Sequence, residues 1–206
     1  MIGFSLAHSG SYEDFFTAIK RDDASTVASL LSRGFDANTL DPKRLHGLFI
    51  AIQEPSPKAA DVLIRWPKTN VEFRTAKDES PLMLASLKGH LDLTRKLVDR
   101  GADVNKTGWT PLHYAATNGH LEIMSLLLEN HAYIDAESPN GTTPLMMAAQ
   151  YGSAAAVTLL LEAGADGSLK NQLGLTAIDF ANKGNRSESA QLIAAARRAQ
   201  QPRGKW

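Results

Sequence analysis

One arrangement of apolar and polar positions recurs along the chain. Ser80-Pro81-Leu82-Met83, Thr110-Pro111-Leu112-His113 and Thr143-Pro144-Leu145-Met146 align with one another, and Thr176-Ala177-Ile178-Asp179 is a degenerate fourth copy. Their first residues step by 30, 33 and 33 positions. Nine residues after the first three starts stand Gly89, Gly119 and Gly152, with Gly184 displaced by one place in the last copy. A fixed period of this length marks a repeat architecture in which each unit buries its apolar face on the next.

Local chemistry explains the pattern. Ser or Thr is a good N-cap, and Pro is pre-set for the first helical position, where its missing N–H costs nothing. A helix is therefore expected at each Thr-Pro. The residues Leu112, Ala115 and Ala116, and likewise Leu145, Ala148 and Ala149, keep one helix face small for close packing. Gly119 and Gly152 are expected to supply a left-handed turn. A second helix follows, with Leu121, Met124, Leu127 and Leu128, or Val157, Leu160 and Leu161, at helical spacing. It ends at Gly101-Ala102-Asp103-Val104-Asn105 or Gly164-Ala165-Asp166, and a polar turn or hairpin leads to the next Thr-Pro, as in Ser138-Pro139-Asn140-Gly141 and 170–174.

These residues resemble the ankyrin-repeat signature, and residues 110–135 (TPLHYAATNGHLEIMSLLLENHAYID) come close to the consensus. The resemblance implies an all-α solenoid of stacked helix–turn–helix units with short hairpin connections and a concave face of hairpins and inner helices. It runs through residues 75–182 and weakens towards both ends. Residues 11–38 read as an N-terminal capping repeat with helices at 12–20 and 24–32, closing on Gly34-Phe35-Asp36-Ala37-Asn38. Residues 45–73 lack Thr-Pro-Leu-His and read as a divergent second repeat, in which Ser56-Pro57 offers a capped start for the second helix. The last copy is expected to be the C-terminal cap, giving six repeats. In this reading 1–10 is a flexible tail or the remnant of an export signal, 11–200 one repeat domain, and 201–206 a flexible tail. A trimmed signal at Ala7-His8-Ser9 places the protein in the periplasm or outside the cell; otherwise the cytoplasm is expected.

Between Asn105 and Trp109 lie only Lys106, Thr107 and Gly108, three residues fewer than at the two following junctions. This clipped hairpin is expected to leave a notch with Trp109 beside it.

Composition narrows the function. Twenty-two Lys and Arg balance twenty-two Asp and Glu, so no broad cationic field draws the chain to nucleic acid or anionic lipid. With 43% hydrophobic residues the 206-residue chain can bury a core, and no run approaches the ~18 to 20 apolar residues of a membrane span. The absence of cysteine removes disulfides, thiolate metal sites and a Cys nucleophile. No Gly-x-Gly-x-x-Gly, Walker loop, His-Glu-x-x-His or Gly-x-Ser-x-Gly occurs. His90, His113, His120 and His131 fall in adjacent repeats. Equivalent helices stand about 8 to 10 Å apart, too far for two imidazoles to meet one zinc at about 2 Å without inward reach. His46 supports no site. The resemblance gives His113 the part of an imidazole that ties the helix start to neighbouring turns. Asp22-Asp23 and Asp78-Glu79 read as caps, and Asp103, Asp135 and Asp166 as servants of the turns.

No catalytic, metal or cofactor site is therefore expected. The resemblance implies a monomeric, non-catalytic module that binds a protein or peptide, and neither nucleic acid nor membrane. The usual contact positions are the hairpin tips, the residue before Thr-Pro and the pair before Gly. Carried over, the principal ones are Leu87, Lys88, Trp109, Thr117, Asn118, Thr142, Gln150 and Tyr151, with Glu79, Leu175, Asn182 and Lys183 equivalent to them further out. Trp109 and Tyr151 are the expected anchors, since large rigid aromatics dominate interface energetics. The competing expectation is that Trp109 fills the notch and Tyr151 covers the next inner helix, while Tyr114 packs between inner helices. The wording of 130–147 also resembles compact bacterial ankyrin proteins, which raises the alternative of an inhibitor or immunity-type accessory to one bacterial enzyme.

Overall fold

The computed structural model describes residues 6–200, with side chains from residue 10 to residue 199. Residues 1–5 of the expected tail 1–10, the expected tail 201–206, and the side chains of Ala7-His8-Ser9 lie outside the described residues. Among those described, twelve helices form six consecutive pairs: α1 (Leu6–Lys20), α2 (Ala24–Ser32), α3 (Gly47–Gln53), α4 (Pro57–Arg65), α5 (Pro81–Lys88), α6 (Leu91–Asp99), α7 (Pro111–Asn118), α8 (Leu121–Glu129), α9 (Pro144–Gln150), α10 (Ala154–Glu162), α11 (Ala177–Lys183) and α12 (Ser187–Gln200). No strand is present among them beyond one isolated antiparallel bridge between Leu40 and His46. Helix α1 begins at Leu6, six residues ahead of the expected start.

The chain forms two compact units, one built from residues up to 85 with 92–102, the other from 86–91 with 103 onwards. In the first, α1 packs on α2 and α3, and α4 on α2 and α3. Phe15, Ile19, Leu31, Leu48, Ile52, Leu63 and Leu97 are fully buried there. A methyl group added to Gly47 would lie 2.9 Å from the Phe15 ring, so α3 reaches α1 closely only without a side chain. His46 is the N-cap of α3: the Leu48 N–H donates to its Nδ1 at 3.2 Å, which leaves Nε2–H to donate to Asn38 Oδ1 at 3.0 Å. The divergent repeat thus starts its first helix on an imidazole. Its second helix is not capped by Ser56, whose side chain makes no cap bond. Asp22, in the loop before α2, accepts from the Ala59 N–H at 2.8 Å instead. Arg100 closes the other end of α4 by donating to the Ile64 and Trp66 carbonyls. Lys96 bridges Asp61 and Asp92, both at 2.8 Å.

In the second unit α7, α9 and α11 stack in order as one layer, and α8, α10 and α12 as the other. Small residues Ala115, Ala116, Ala148, Ala149 and Ala181 are fully buried along the inner layer, which permits this closeness. The glycines after the inner helices work in two ways. Gly119 is left-handed at φ 67°, as expected. Gly152 is not: its φ is not positive, and a Cβ there would lie 2.5 Å from the Ala116 carbonyl oxygen, so it is glycine because two backbones meet. Gly184 approaches the Gln150 carbonyl in the same way, and the left-handed turn falls to Asn185 at φ 54°.

The hairpins have a common closure. The Ser138 N–H donates to the Thr142 carbonyl and the Asn171 N–H to the Leu175 carbonyl, each at 3.0 Å, and in the first unit Thr75 bonds Glu79 likewise. The two later tips are joined by Gln172, whose N–H donates to Asn140 O and whose Nε2 donates to Pro139 O. In the shorter link 105–109, Gly108 turns at φ 83°.

Candidate functional site

The clipped hairpin leaves its notch. A depression of about 500 Å³ lies between Thr107 and Gly108 on one side and Glu137, Pro139, Lys170 and Gln172 on the other. Trp109 does not fill it. Its ring turns instead onto the face of α7, 5.2 Å from the His113 ring and 6.5 Å from the Tyr114 ring, both edge-on.

What holds Trp109 there is the cap of α7. The Thr110 N–H donates to His113 Nδ1 at 3.1 Å, and a backbone N–H can only donate, so Nδ1 is the acceptor. The Thr110 hydroxyl lies 2.9 Å from the same nitrogen. The remaining Nε2–H then donates to the Thr142 carbonyl at 2.8 Å, 29 residues away. His113 thus ties its own helix start to the next hairpin, as the resemblance implied. Burial pushes its pKa down to about 4, so the ring is neutral and suited to one acceptor and one donor bond. The residue is wholly buried. The equivalent place is filled by Met83 and Met146, whose Sδ atoms accept from Ser80 N and Thr143 N at 3.4 Å, and by Asp179, which accepts from the N–H and hydroxyl of Thr176.

Beside the Trp109 ring opens an apolar depression of about 200 Å³, lined by Leu87, Trp109, His113, Tyr114, Thr117 and Met147. Its walls come from α5, the junction before α7, α7 itself and α9. Tyr114, expected between inner helices, is half-buried and forms one side of this depression. Met147 was not among the expected contact positions; it follows the N3 residue Met146 and turns out to face the depression.

The expected contact residues separate accordingly. Leu87, Trp109 and Thr117 line the depression. Lys88, Asn118 and Gln150 are the last residues of α5, α7 and α9 and form a polar row that continues to Lys183 at the end of α11. Asn118 Nδ2 and His120 Nε2 both donate to the Leu87 carbonyl, at 2.7 and 3.0 Å, which fixes α5's end against α7. Tyr151 is 52% exposed, and its carbonyl accepts from Arg186. Thr142 is a correction: it is 2% exposed, held under the hairpin by its N–H bonds to Ser138 and Asn140 and by the His113 contact, so its side chain is not on the surface. Two exposed apolar residues were missed, Tyr133 at 68% and Leu173 at 77%; Leu173 stands at a hairpin tip, the class of position already singled out.

Among the described residues no three His, Asp or Glu side chains are placed to hold a metal ion, and no helix is long and apolar enough to cross a membrane. His90 and His120 share a register. His120 is bonded to Leu87, and burial together with neighbouring Lys88 and His120 lowers the pKa of His90.

Comparison with known proteins agrees with this architecture. The family described as Ankyrin repeats (3 copies) matches residues 15–107 and 48–138, and that described as Ankyrin repeats (many copies) matches 127–181. The mouse protein named Ankyrin repeat and SAM domain-containing protein 6 is 37% identical over 107 residues, 50% of this chain and 12% of the relative. The human Ankyrin repeat and KH domain-containing protein 1 is 38% identical over 79 residues, 36% of this chain and 3% of the relative. The mouse 2-5A-dependent ribonuclease is 34% identical over 79 residues, 36% of this chain and 11% of the relative. The chain therefore spans about an eighth or less of the length of these relatives. With the family matching more than half of its residues and six helix pairs in sequence order, the chain is an all-α member of the ankyrin-repeat family.

Proposed function

We propose that this chain is a non-catalytic docking module whose second unit receives one large apolar side chain of a protein or peptide. Ankyrin repeats are generally protein-interaction modules, and the observation that carries the reading here is the depression beside Trp109. It is apolar, and the Trp109 ring stands at its edge, packed on His113 and Tyr114. A rigid wall of this kind loses little conformational entropy on binding. Trp109 supplies the aromatic surface typical of interface hot spots. Of the relatives, one is named for ribonuclease activity, but the match covers 11% of that protein and carries no activity to this chain. All three relatives named are mouse or human proteins and do not favour the narrower reading of an inhibitor or immunity protein for a bacterial enzyme.

The test is selection of phage-displayed random dodecapeptides on the protein, followed by titration of the selected peptides with variants. Trp109→Ala is expected to weaken them by about 1 to 4 kcal/mol. Because Trp109 also packs on His113, Thr117→Arg is the companion variant: it obstructs the depression and leaves the Trp109 contacts in place. It should abolish binding while circular dichroism and thermal unfolding stay close to wild type. Selected peptides that bind both variants as well as wild type would refute the docking role of the depression.

A further inference from the structure

Resting on that reading, we infer that the partner segment is acidic on both sides of its apolar anchor, and that it runs in extended form along the row of inner-helix ends from Lys88 to Lys183. The row is Lys88, Asn118, Gln150 and Lys183, the final residues of four successive inner helices. Its register is fixed by four contacts: Asn118 bonds the Leu87 carbonyl, Gly152 abuts Ala116, Gly184 abuts Gln150, and Arg186 donates to the Tyr151 carbonyl. Charge along it is one-sided. Helices α7 and α9 and residues 86–88 hold no carboxylate; the one carboxylate of α11, Asp179, is hydrogen-bonded to Thr176 and also feels the Lys183 charge one turn on, without an ion pair. Lys88 and Lys183 are exposed, Arg186 adds a third exposed cation beside Tyr151, and none of the three makes a salt bridge among the described residues.

A lysine at a helix C-terminus also complements the helix dipole. Asn118 and Gln150, however, fill the same place at the ends of α7 and α9 without a charge, so the scaffold does not require one. Lys183 Nζ stands 5.9 Å from the Phe180 ring centroid, an arrangement that leaves its charge open to solvent. The two lysines therefore mark the ends of a neutral, amide-lined stretch with the apolar depression set into it.

Spacing fixes the complementary pattern. Neighbouring inner helices stand about 8 to 10 Å apart, so three steps span about 24 to 30 Å. An extended peptide covers that in about seven to nine residues at ~3.3 Å each. The depression is centred on α7, one step from Lys88 and two from Lys183. The fitting segment thus places Asp or Glu about three residues from its apolar anchor on one side and about five or six on the other. The apolar walls, contributed by Leu87, Tyr114 and Met147 around Trp109, favour a peptide side chain over a nucleotide.

The dodecapeptides already selected supply the probes. Those that lose binding on Thr117→Arg should be enriched in Asp and Glu at that spacing. Their fluorescein-labelled forms should lose about tenfold in affinity on Lys88→Glu/Lys183→Glu, and severalfold between 50 and 500 mM NaCl. Replacing their acids with the corresponding amides should reproduce the loss on wild-type protein and cause little further loss on the double variant. Peptides that are sensitive to Thr117→Arg but carry no acidic enrichment, or that ignore the lysine reversal, overturn this inference and leave the docking role intact. Peptides insensitive to Thr117→Arg, or no selected peptide at all, overturn both. A labelled single-stranded oligothymidylate that binds as tightly and with the same lysine dependence overturns the assignment to a peptide.

Discussion

Gly119 and Gly152 occupy the same place in successive repeats for different physical reasons, and substitution separates them. At Gly119 the backbone is left-handed, φ 67°, and an added Cβ would sit 3.1 Å from the Ser153 hydroxyl, which caps α10 and need give by only a few tenths of an ångström. Gly119→Ala is expected to cost about 1 to 2 kcal/mol, the strain of a left-handed alanine. At Gly152 the conformation suits any residue, but the Cβ would be 2.5 Å from Ala116 O and 2.9 Å from Ala148 O, both backbone. The first can yield only if α7 moves against α9, and the second only if the end of α9 itself distorts. Gly152→Ala should therefore cost more, about 2 to 4 kcal/mol, as overpacking against a fixed wall does. Urea unfolding of the two variants gives the order, and a Gly152→Ala protein as stable as Gly119→Ala would show that the two helices are not so tightly apposed. The sequence placed both glycines in register but offered one reason for them; the second needed the distance between helices that are more than thirty residues apart. The same limit hid the burial of Thr142, whose surroundings are set by a histidine 29 residues earlier.

At the scale of elements, the helix starts were legible and the links between repeats were not. Thr110-Pro111 and Thr143-Pro144 announce α7 and α9 through local capping chemistry, which needs no knowledge of neighbours. The divergent repeat hid its cap because His46 precedes glycine and no Thr-Pro stands nearby, although its ring plays a part close to that of His113. The residue that closes each Gly-Ala-Asp-x-Asn segment proves to be a staple. Asn38 donates to Lys68 O and accepts from Asn70 N; Asn105 donates to His131 O and accepts from Tyr133 N at 2.7 Å; Asp135 accepts from Asp166 N. Each joins one loop to the loop about thirty residues on. The segment was legible as a turn from its composition, but its cross-repeat bonds required the stacking geometry. Asn105→Ala removes a donor and an acceptor and is expected to cost about 1 to 2 kcal/mol. Asn105→Asp keeps the acceptor for Tyr133 N, as Asp135 does in the following repeat, and should cost about half as much. Equal losses in the two variants, measured by thermal or urea unfolding, would show that the Tyr133 bond contributes nothing.

For the molecule as a whole, these local devices make stability depend on pH. Burial lowers the pKa of both His46 and His113 to about 4, while in the unfolded chain each returns to about 6.5. Between those values the unfolded chain binds protons that the folded chain refuses, so stability rises with pH across that window and is lost as pH falls through it. Each ring contributes up to about 3 kcal/mol of this dependence at full effect. His90, also lowered, adds in the same direction. Most carboxylates act lower on the scale, while Asp135, its pKa raised by burial, opposes the histidines. Asp92, Asp166 and Asp179 are stabilised as anions by hydrogen bonds, led respectively by Lys96, Ser168 and Thr176, and their contribution is lost only as pH falls below the ordinary carboxylate range. Above pH 4.5 the histidines dominate. The urea midpoint is therefore expected to fall steadily from pH 7 to pH 4.5. His113→Met isolates one of the two rings, because methionine already serves this position at Met83 and Met146. At pH 7 it should cost about 1 to 2 kcal/mol, since the Thr142 carbonyl loses its donor. Its midpoint should then change with pH about half as steeply as wild type, and at pH 4.5 the variant should match or exceed it. A wild-type midpoint that stays flat between pH 7 and pH 5 would mean that both rings titrate alike in the folded and unfolded chain, and that the neutral, doubly bonded imidazole is not what holds the start of α7 against the next hairpin.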